Sequence, residues 1–247
     1  MQLPCFLFDF LLLWQTGRDN GAAATGLTIV AILIFSFVGI IFLLSVGLVA
    51  FLRKQKQKRI RNLQMFAAQN GWQSISNADV NFFQNSNYYR LFAAGRNKNI
   101  AGLMHRQYGG GQVFLFDYEY TTGSGKSTKV HTQTVVAYHS PHLNLPYFSL
   151  YPESFLSFIG EAFGYNDIDF ASHPHFSKRY KLSGGDERAV RQTFHPQMLS
   201  YFDQLPTVNI DGGGNFIFVY ESNKTAPSEN LNWFIGERIK YLNLFGS

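Results

Sequence analysis

The hydrophobic pattern of the chain is dominated by one long apolar run near its start. Residues 20–52 contain no charged side chain, and from Gly26 to Leu52 most residues are Ile, Leu, Val, Phe or Ala. At about 1.5 Å of rise per residue, such a helix is longer than the hydrocarbon core of a bilayer, which is about 30 Å thick. We therefore predict a single transmembrane helix over Gly26–Leu52.

After this run the pattern alternates, which is typical of strands. Strands are predicted over Tyr88–Ala94, Asn99–Gln107, Gln112–Thr121 and Lys129–His139. In the third of these, aromatic residues share one face and Asp117 and Glu119 share the other, because side chains alternate along a strand. The glycine-rich turns between the segments favour an antiparallel meander.

Helical patterns follow the strands. One is predicted from Glu153 to Gly164, one begins with Asp186 as its N-cap and is broken by Pro196, and the last begins near Ser228. The predicted fold class is α+β: one N-terminal transmembrane helix, then a soluble domain whose antiparallel, aromatic-rich sheet is packed by about three helices. The predicted segments are residues 1–25, interfacial; 26–52, transmembrane; 53–71, a basic juxtamembrane helix; and 72–247, a cytoplasmic α+β domain.

Charge is concentrated beside the apolar run. The chain has a net charge of +5, but residues 62–247 carry fourteen basic and fourteen acidic side chains. Six cations follow Leu52 within nine residues, and we predict that they bind anionic lipid headgroups: Arg53, Lys54, Lys56, Lys58, Arg59 and Arg61. The positive-inside rule then places the N-terminus outside and the domain in the cytoplasm. A neutral domain lacks the basic surface of a nucleic-acid-binding protein, so no nucleic-acid partner is expected.

Two further features of the sequence bear on partners. Ser36, Gly39, Gly47 and Ala50 fall roughly on one face of the apolar helix, and small residues allow close helix contact, so a homodimer through this face is a candidate assembly. A single cysteine, Cys5, excludes an intrachain disulfide and fits a reducing compartment.

Two motifs are candidates for a phosphate-binding loop and a metal site. Gly123–Ser127 resembles the end of a phosphate-binding loop, but the glycine expected five residues before Gly125 is Tyr120, and a strand follows, so a hairpin tip is predicted. The densest reactive cluster comprises Asp167, Asp169, His173 and His175, whose carboxylates and imidazoles are suitable metal ligands. The alternative interpretation is a solvated surface in which Ile168 and Phe170 face the core.

Several short sequence segments after the apolar run resemble those of a known group of proteins. Asn70-Gly71-Trp72, FDYEY at 116–120, GK at 125–126, QTVV at 133–136, LPYF at 145–148, DIDF at 167–170 and FSKRY at 176–180 resemble an uncharacterised family of bacterial membrane-anchored proteins, including cyanobacterial ones. The resemblance implies a shared domain in a bacterial plasma or thylakoid membrane and transfers no catalytic role.

The sequence therefore favours a non-enzymatic, membrane-tethered binding or interaction domain with no cofactor, whose partners are anionic lipid and a protein. The rival hypothesis is a metal-dependent hydrolase that uses Asp167, Asp169, His173 and His175. The two differ in geometry, because the hydrolase requires these four side chains to converge in a concave pocket.

Overall fold

The structure is a computed structural model that describes residues 21–76, 80–83, 86–155 and 167–245. It divides into two compact units, one extending to Lys58 and one from Arg59 onward. The predicted interfacial segment lies outside the described residues, except for residues 21–25. The helix predicted from Glu153 lies largely outside them as well, and its described beginning, Glu153–Phe155, is a 3-10 turn.

The first helix, α1, runs without interruption over Gly21–Gln69, so the predicted transmembrane and juxtamembrane helices are one element. Within the described side chains from Ile29 onward, it contains a window of mean hydropathy 3.0, none of which is buried. The helix is therefore long and apolar enough to span a membrane.

The helix ends at Gln69, close to the predicted boundary at residue 71. Gly71 has a positive φ of 70°, and the Trp72 amide donates to the carbonyl oxygen of Ala67 at 3.0 Å. This arrangement satisfies the last carbonyl groups of a helix, and glycine adopts it without steric cost.

The second unit is built on one sheet of eight strands, and all neighbouring strands are antiparallel. The strands are β1 Gln73–Ser74, β2 Arg96–Tyr108, β3 Gly111–Thr122, β4 Lys129–His139, β5 Leu145–Pro152, β6 Tyr180–Gly184, β7 Asn209–Gly214 and β8 Phe216–Tyr220. Their order is β1-β2-β3-β4-β8-β7-β5-β6. The predicted meander is confirmed as β2-β3-β4, and the α+β fold class is confirmed with it.

One predicted strand is wrong. Tyr88–Ala94 contains the end of a 3-10 turn and a short helix, α2, over Arg90–Ala93. The carboxylate of Asp211 accepts hydrogen bonds from the amides of Arg90 and Leu91 at 3.1 and 3.0 Å, which supplies acceptors for the first helical donors. Leu91 and Phe92 are both buried although they are adjacent, which a half-exposed strand would not allow.

Four more helices lie in the described part of this unit: α3 Pro174–Arg179, α4 Glu187–Thr193, α5 Pro196–Phe202 and α6 Leu231–Leu242. Asp186 caps α4 as predicted, accepting from the Ala189 amide at 3.0 Å. Pro196 begins a new helix as predicted, because proline is tolerated in the first turn. Helix α3 begins inside the candidate metal cluster, just after His173.

The sheet is buried on both faces. Side chains alternate along β3, so that Val113 and Leu115 join the core beneath the helices, whereas Phe114, Phe116 and Tyr118 join a second, mainly aromatic core. Phe83 lies in the centre of that second core, with ring contacts to Phe92, Phe116 and Phe218 among others. Residues 80–83 and 86–93 therefore cover one face, and α6 and the end of α1 lie on the other.

Gly102 provides a test of how α1 meets the sheet. Its φ is +63°, it lies in an irregularity of the β2–β3 register, and a Cβ there would come within 2.5 Å of the side chain of Leu63 on α1. We expect Gly102→Ala to lower the free energy of unfolding by about 2–4 kcal/mol, from backbone strain and overpacking together.

The measurement is urea unfolding of the domain in the full chain, held in detergent micelles and followed by near-UV circular dichroism. Gly71→Ala is the matched control, since Gly71 also has positive φ but has no atom within 4 Å of the added Cβ. Equal losses from the two variants would contradict close packing of Leu63 against this bulge.

Candidate functional site

The acidic and histidine cluster of the sequence does not form a common site. The Asp167 carboxylate accepts hydrogen bonds from Lys181 Nζ at 2.6 Å and from the Leu182 amide at 3.2 Å. His175 Nδ1 lies 3.0 Å from the carboxylate of Asp203, which was not among the predicted ligands.

The other two predicted ligands are directed elsewhere. His173 contacts the hydroxyls of Ser172 and Ser200, and the backbone carbonyl of Asp169 accepts a hydrogen bond from Arg191. Among the residues that the structure describes, no three His, Cys, Asp or Glu side chains come together as metal ligands. The convergence required by the hydrolase hypothesis is therefore not found, because the side chains of Asp167, His173 and His175 each pair locally, with β6 or with α5 and its C-cap.

The phosphate-loop string is the tip of a hairpin, as predicted. Gly125–Ser127 form a single 3-10 turn between β3 and β4, closed by mutual hydrogen bonds between Ser124 and Ser127. A strand follows the turn, so this loop lacks the helix N-terminus on which such phosphate sites depend.

Arg59 differs from the other cations of the basic segment. Its guanidinium donates to both carboxylate oxygens of Asp117, at 2.8 and 3.1 Å, and to the hydroxyl of Ser228 at 2.9 Å. The side chain of Arg59 is 22% exposed and that of Asp117 is 8% exposed. The remaining cations are exposed along α1: Arg53, Lys54, Lys56, Lys58 and Arg61.

The ion pair belongs to a connected network. Thr134 donates to Asp117 at 2.6 Å, and its hydroxyl oxygen accepts from the Ala226 amide at 2.9 Å. The network thus joins the end of α1 to β3, β4 and the segment before α6. A planar guanidinium satisfies both oxygens of a carboxylate at once, which an ammonium group cannot do.

In the described part of the chain, the glycines of the small-residue face pack against no other element. A Cβ added at Gly39 or Gly47 would meet no atom within 4 Å, and the Ser36 hydroxyl donates to the carbonyl of Leu33 at 2.9 Å. The face with Ala50 stays a prediction of a dimer contact.

A pocket that sequence reasoning missed lies where β5 and β6 meet segment 87–93. Its volume is about 440 Å³, and it is lined by Asn87, Tyr88, Arg90, Ala93, Tyr147, Phe148, Ser149, Ser183, Gly184 and Gly185. We call it the tyrosine pocket. Its residues come from distant parts of the chain, so no local motif announces it.

The floor of the tyrosine pocket is a row of polar side chains across three strands. Ser183 on β6 pairs with Ser149 on β5, and Ser149 pairs with Asp211 on β7, so the three side chains share one face. Ser149 donates to Asp211 at 2.5 Å, and Tyr220 donates to it at 3.0 Å.

Asp211 is 1% exposed. Burial raises the pKa of its carboxyl group, and the hydrogen bonds from Ser149, Tyr220 and Leu91 oppose that shift. Burial and the neighbouring Asp211 also raise the pKa of Tyr220 well above its usual value. In the sequence, the feature that marks this region is an acidic residue between Ile210 and three glycines.

Comparisons with known proteins bear on the fold. Neither a protein-family model nor a curated protein matches the chain. The structure is similar to the crystal structure of the mycobacterial trehalose monomycolate transport factor A, TtfA, with a TM-score of 0.52 and 12% sequence identity. The similarity covers 75% of this chain and 91% of that one, and at this identity it shows a shared fold.

The ion pair gives a stability test. Arg59→Met leaves the buried Asp117 carboxylate without its charged partner, and we expect a loss of about 3 kcal/mol in the free energy of unfolding. The same micelle-based urea unfolding measures it. Arg61→Met, a change at an exposed arginine two residues later, should alter stability by less than about 0.5 kcal/mol. Similar values for both variants would show that the ion pair contributes nothing specific.

Proposed function

We propose that this protein is a single-pass membrane protein whose domain binds a ligand or a partner and catalyses no reaction. Its basic segment contacts the anionic headgroups of the membrane. The observation that carries the proposal is the continuity of α1 from an apolar run into the domain. Only residues 53–58 separate Leu52 from Arg59, the first residue of the second unit, and four of the six are cationic.

The fold likeness supports this role. TtfA is described as a transport factor, which is a role without a named reaction. The paired arrangement of Asp167, His173 and His175 also favours a binding domain over the metal-dependent hydrolase. We place the N-terminus outside and the domain in the cytoplasm of a bacterial plasma or thylakoid membrane, with a protein partner and a homodimer through Ser36, Gly39, Gly47 and Ala50 as further elements of the proposal.

Topology is testable with a reporter after Ser247. A fluorescent protein should be bright and alkaline phosphatase should be inactive in that position, because the cations after Leu52 retain that end in the cytoplasm. Replacing Arg53, Lys54, Lys56, Lys58 and Arg61 by Gln should increase phosphatase activity. Strong phosphatase activity from the unmodified chain would overturn the orientation.

Lipid binding by the basic segment needs a comparison that preserves Arg59, because that residue contacts Asp117. In a fragment from Arg53 to Ser247, changing the other five cations to Gln should reduce partitioning to phosphatidylglycerol vesicles at least about tenfold, since each cation contributes up to about 1 kcal/mol before screening. Vesicle sedimentation at low and high salt measures this.

Neutral phosphatidylcholine vesicles are the control, and neither fragment should bind them. Equal binding of the two fragments to anionic vesicles at high salt would mean that the domain surface, and not the basic segment, contacts lipid.

A further inference from the structure

The tyrosine pocket has the composition of a site for a neutral polar ligand. Among its lining residues, all of which lie in the described part of the chain, Arg90 alone carries a formal charge. The others supply hydroxyl, amide and aromatic groups, or the bare backbone of glycine. Its volume of about 440 Å³ lies within the range of about 300–1,000 Å³ typical of small-ligand pockets.

An aromatic platform forms one wall. Tyr88 is 68% exposed, and its ring lies 4.8 Å from that of Tyr147 at an angle of 34°, so most of the Tyr88 ring remains open to solvent. Tyr147 also contacts the ring of Tyr89 at 5.7 Å, and the Tyr89 hydroxyl donates to the Gly213 carbonyl at 2.8 Å.

Glycine residues hold this platform in place. A Cβ at Gly213 would lie 2.1 Å from the ring of Tyr147, and one at Gly212 would lie 2.3 Å from the ring of Phe148. The two rings therefore lie directly on the backbone of β7. A binding surface that is ordered before the ligand arrives loses less entropy on binding.

The polar groups that line the pocket are mostly uncharged hydroxyls and amides. Asp211 is buried behind Ser149, which donates a hydrogen bond to its carboxyl group. The guanidinium of Arg90 lies 4.1 Å from the centre of the Tyr151 ring, which orients it. The hydroxyl groups of a ligand can exchange hydrogen bonds with Ser149, Ser183 and Asn87.

We propose that the tyrosine pocket binds a neutral saccharide, with the apolar face of a sugar ring stacked on Tyr88 and its hydroxyls bonded to Ser149, Ser183, Asn87 and Arg90. The inference rests on the proposed binding role and names its ligand class. Aromatic rings provide large rigid contacts, and hydroxyl-rich ligands need several convergent polar groups, which together describe this pocket. The sugar can be free or the headgroup of a glycolipid.

The experiment uses the full chain in nanodiscs, so that no sugar-based detergent competes. Maltose is titrated against phosphatidylcholine nanodiscs and followed by saturation-transfer NMR. Parallel nanodiscs that contain a diglycosyl diacylglycerol are tested for protection of Tyr88 from iodination. Saturable maltose binding together with protection by the glycolipid indicates that the site accepts both a free sugar and a glycolipid headgroup. Maltose binding alone assigns a free sugar, and protection by the glycolipid alone assigns a headgroup.

Tyr88→Ala should weaken maltose binding about fivefold, which corresponds to the loss of a stacking contact of about 1 kcal/mol. Tyr201→Ala is the matched control, because Tyr201 is an exposed tyrosine on α5 outside the pocket, and it should leave binding unchanged. Ala93→Trp is a second variant: Ala93 is exposed at the pocket, and a bulky ring there should abolish binding while every polar lining group is kept.

Unchanged maltose affinity in both Tyr88→Ala and Ala93→Trp would overturn the proposal. So would the absence of binding by both maltose and the glycolipid, or saturable binding of inorganic phosphate that exceeds that of maltose. These outcomes leave the reporter topology and the vesicle binding of the basic segment untouched, so failure of the saccharide site is distinguishable from failure of the proposed function.

Discussion

Two buried carboxylates, one on each face of the sheet, attach the segments that cover those faces. Asp117 points to the face beneath the helices and receives the guanidinium of Arg59 from α1. Asp211 points to the aromatic face and receives the first amides of α2. A buried carboxyl group without hydrogen-bond partners is costly, so each of the two specifies what must lie over it. Once the covering segments are positioned by these polar contacts, Leu63 packs on one face of the sheet and Phe83 on the other.

Features set by local chemistry were predictable from the sequence. The length of the apolar run, the alternation of β2, β3 and β4, the Asp186 cap, the Pro196 break and the stop at Gly71 each depend on residues within a few positions of one another. Their physical causes, namely periodicity, capping and restricted backbone angles, act at that range. The sequence therefore sufficed for the fold class and for most of the element types.

Features set by distant partners were not predictable. Tyr88, Tyr89 and Phe92 favour strands, yet α2 forms because Asp211, about 120 residues away in the chain, accepts its amides. The tyrosine pocket likewise depends on distant partners, because Tyr88, Tyr147 and Ser183 are far apart in the sequence. The glycines at 212–214 end β7 beside β8, and two of them also leave the backbone bare under the rings of Tyr147 and Phe148.

The basic segment illustrates how a charge cluster can be divided by helical phase. Arg59 precedes the buried residues Leu63, Phe66 and Ala67 by four, seven and eight positions, which is the spacing of one helix face. Arg61 falls on a different face and is exposed. An arginine in phase with an apolar stripe reaches a partner within the protein, whereas Arg61 is out of phase and faces solvent. The difference in helical phase between Arg59 and Arg61 is visible in the sequence. The six cations are therefore not equivalent, because Arg59 forms an ion pair with Asp117 inside the domain.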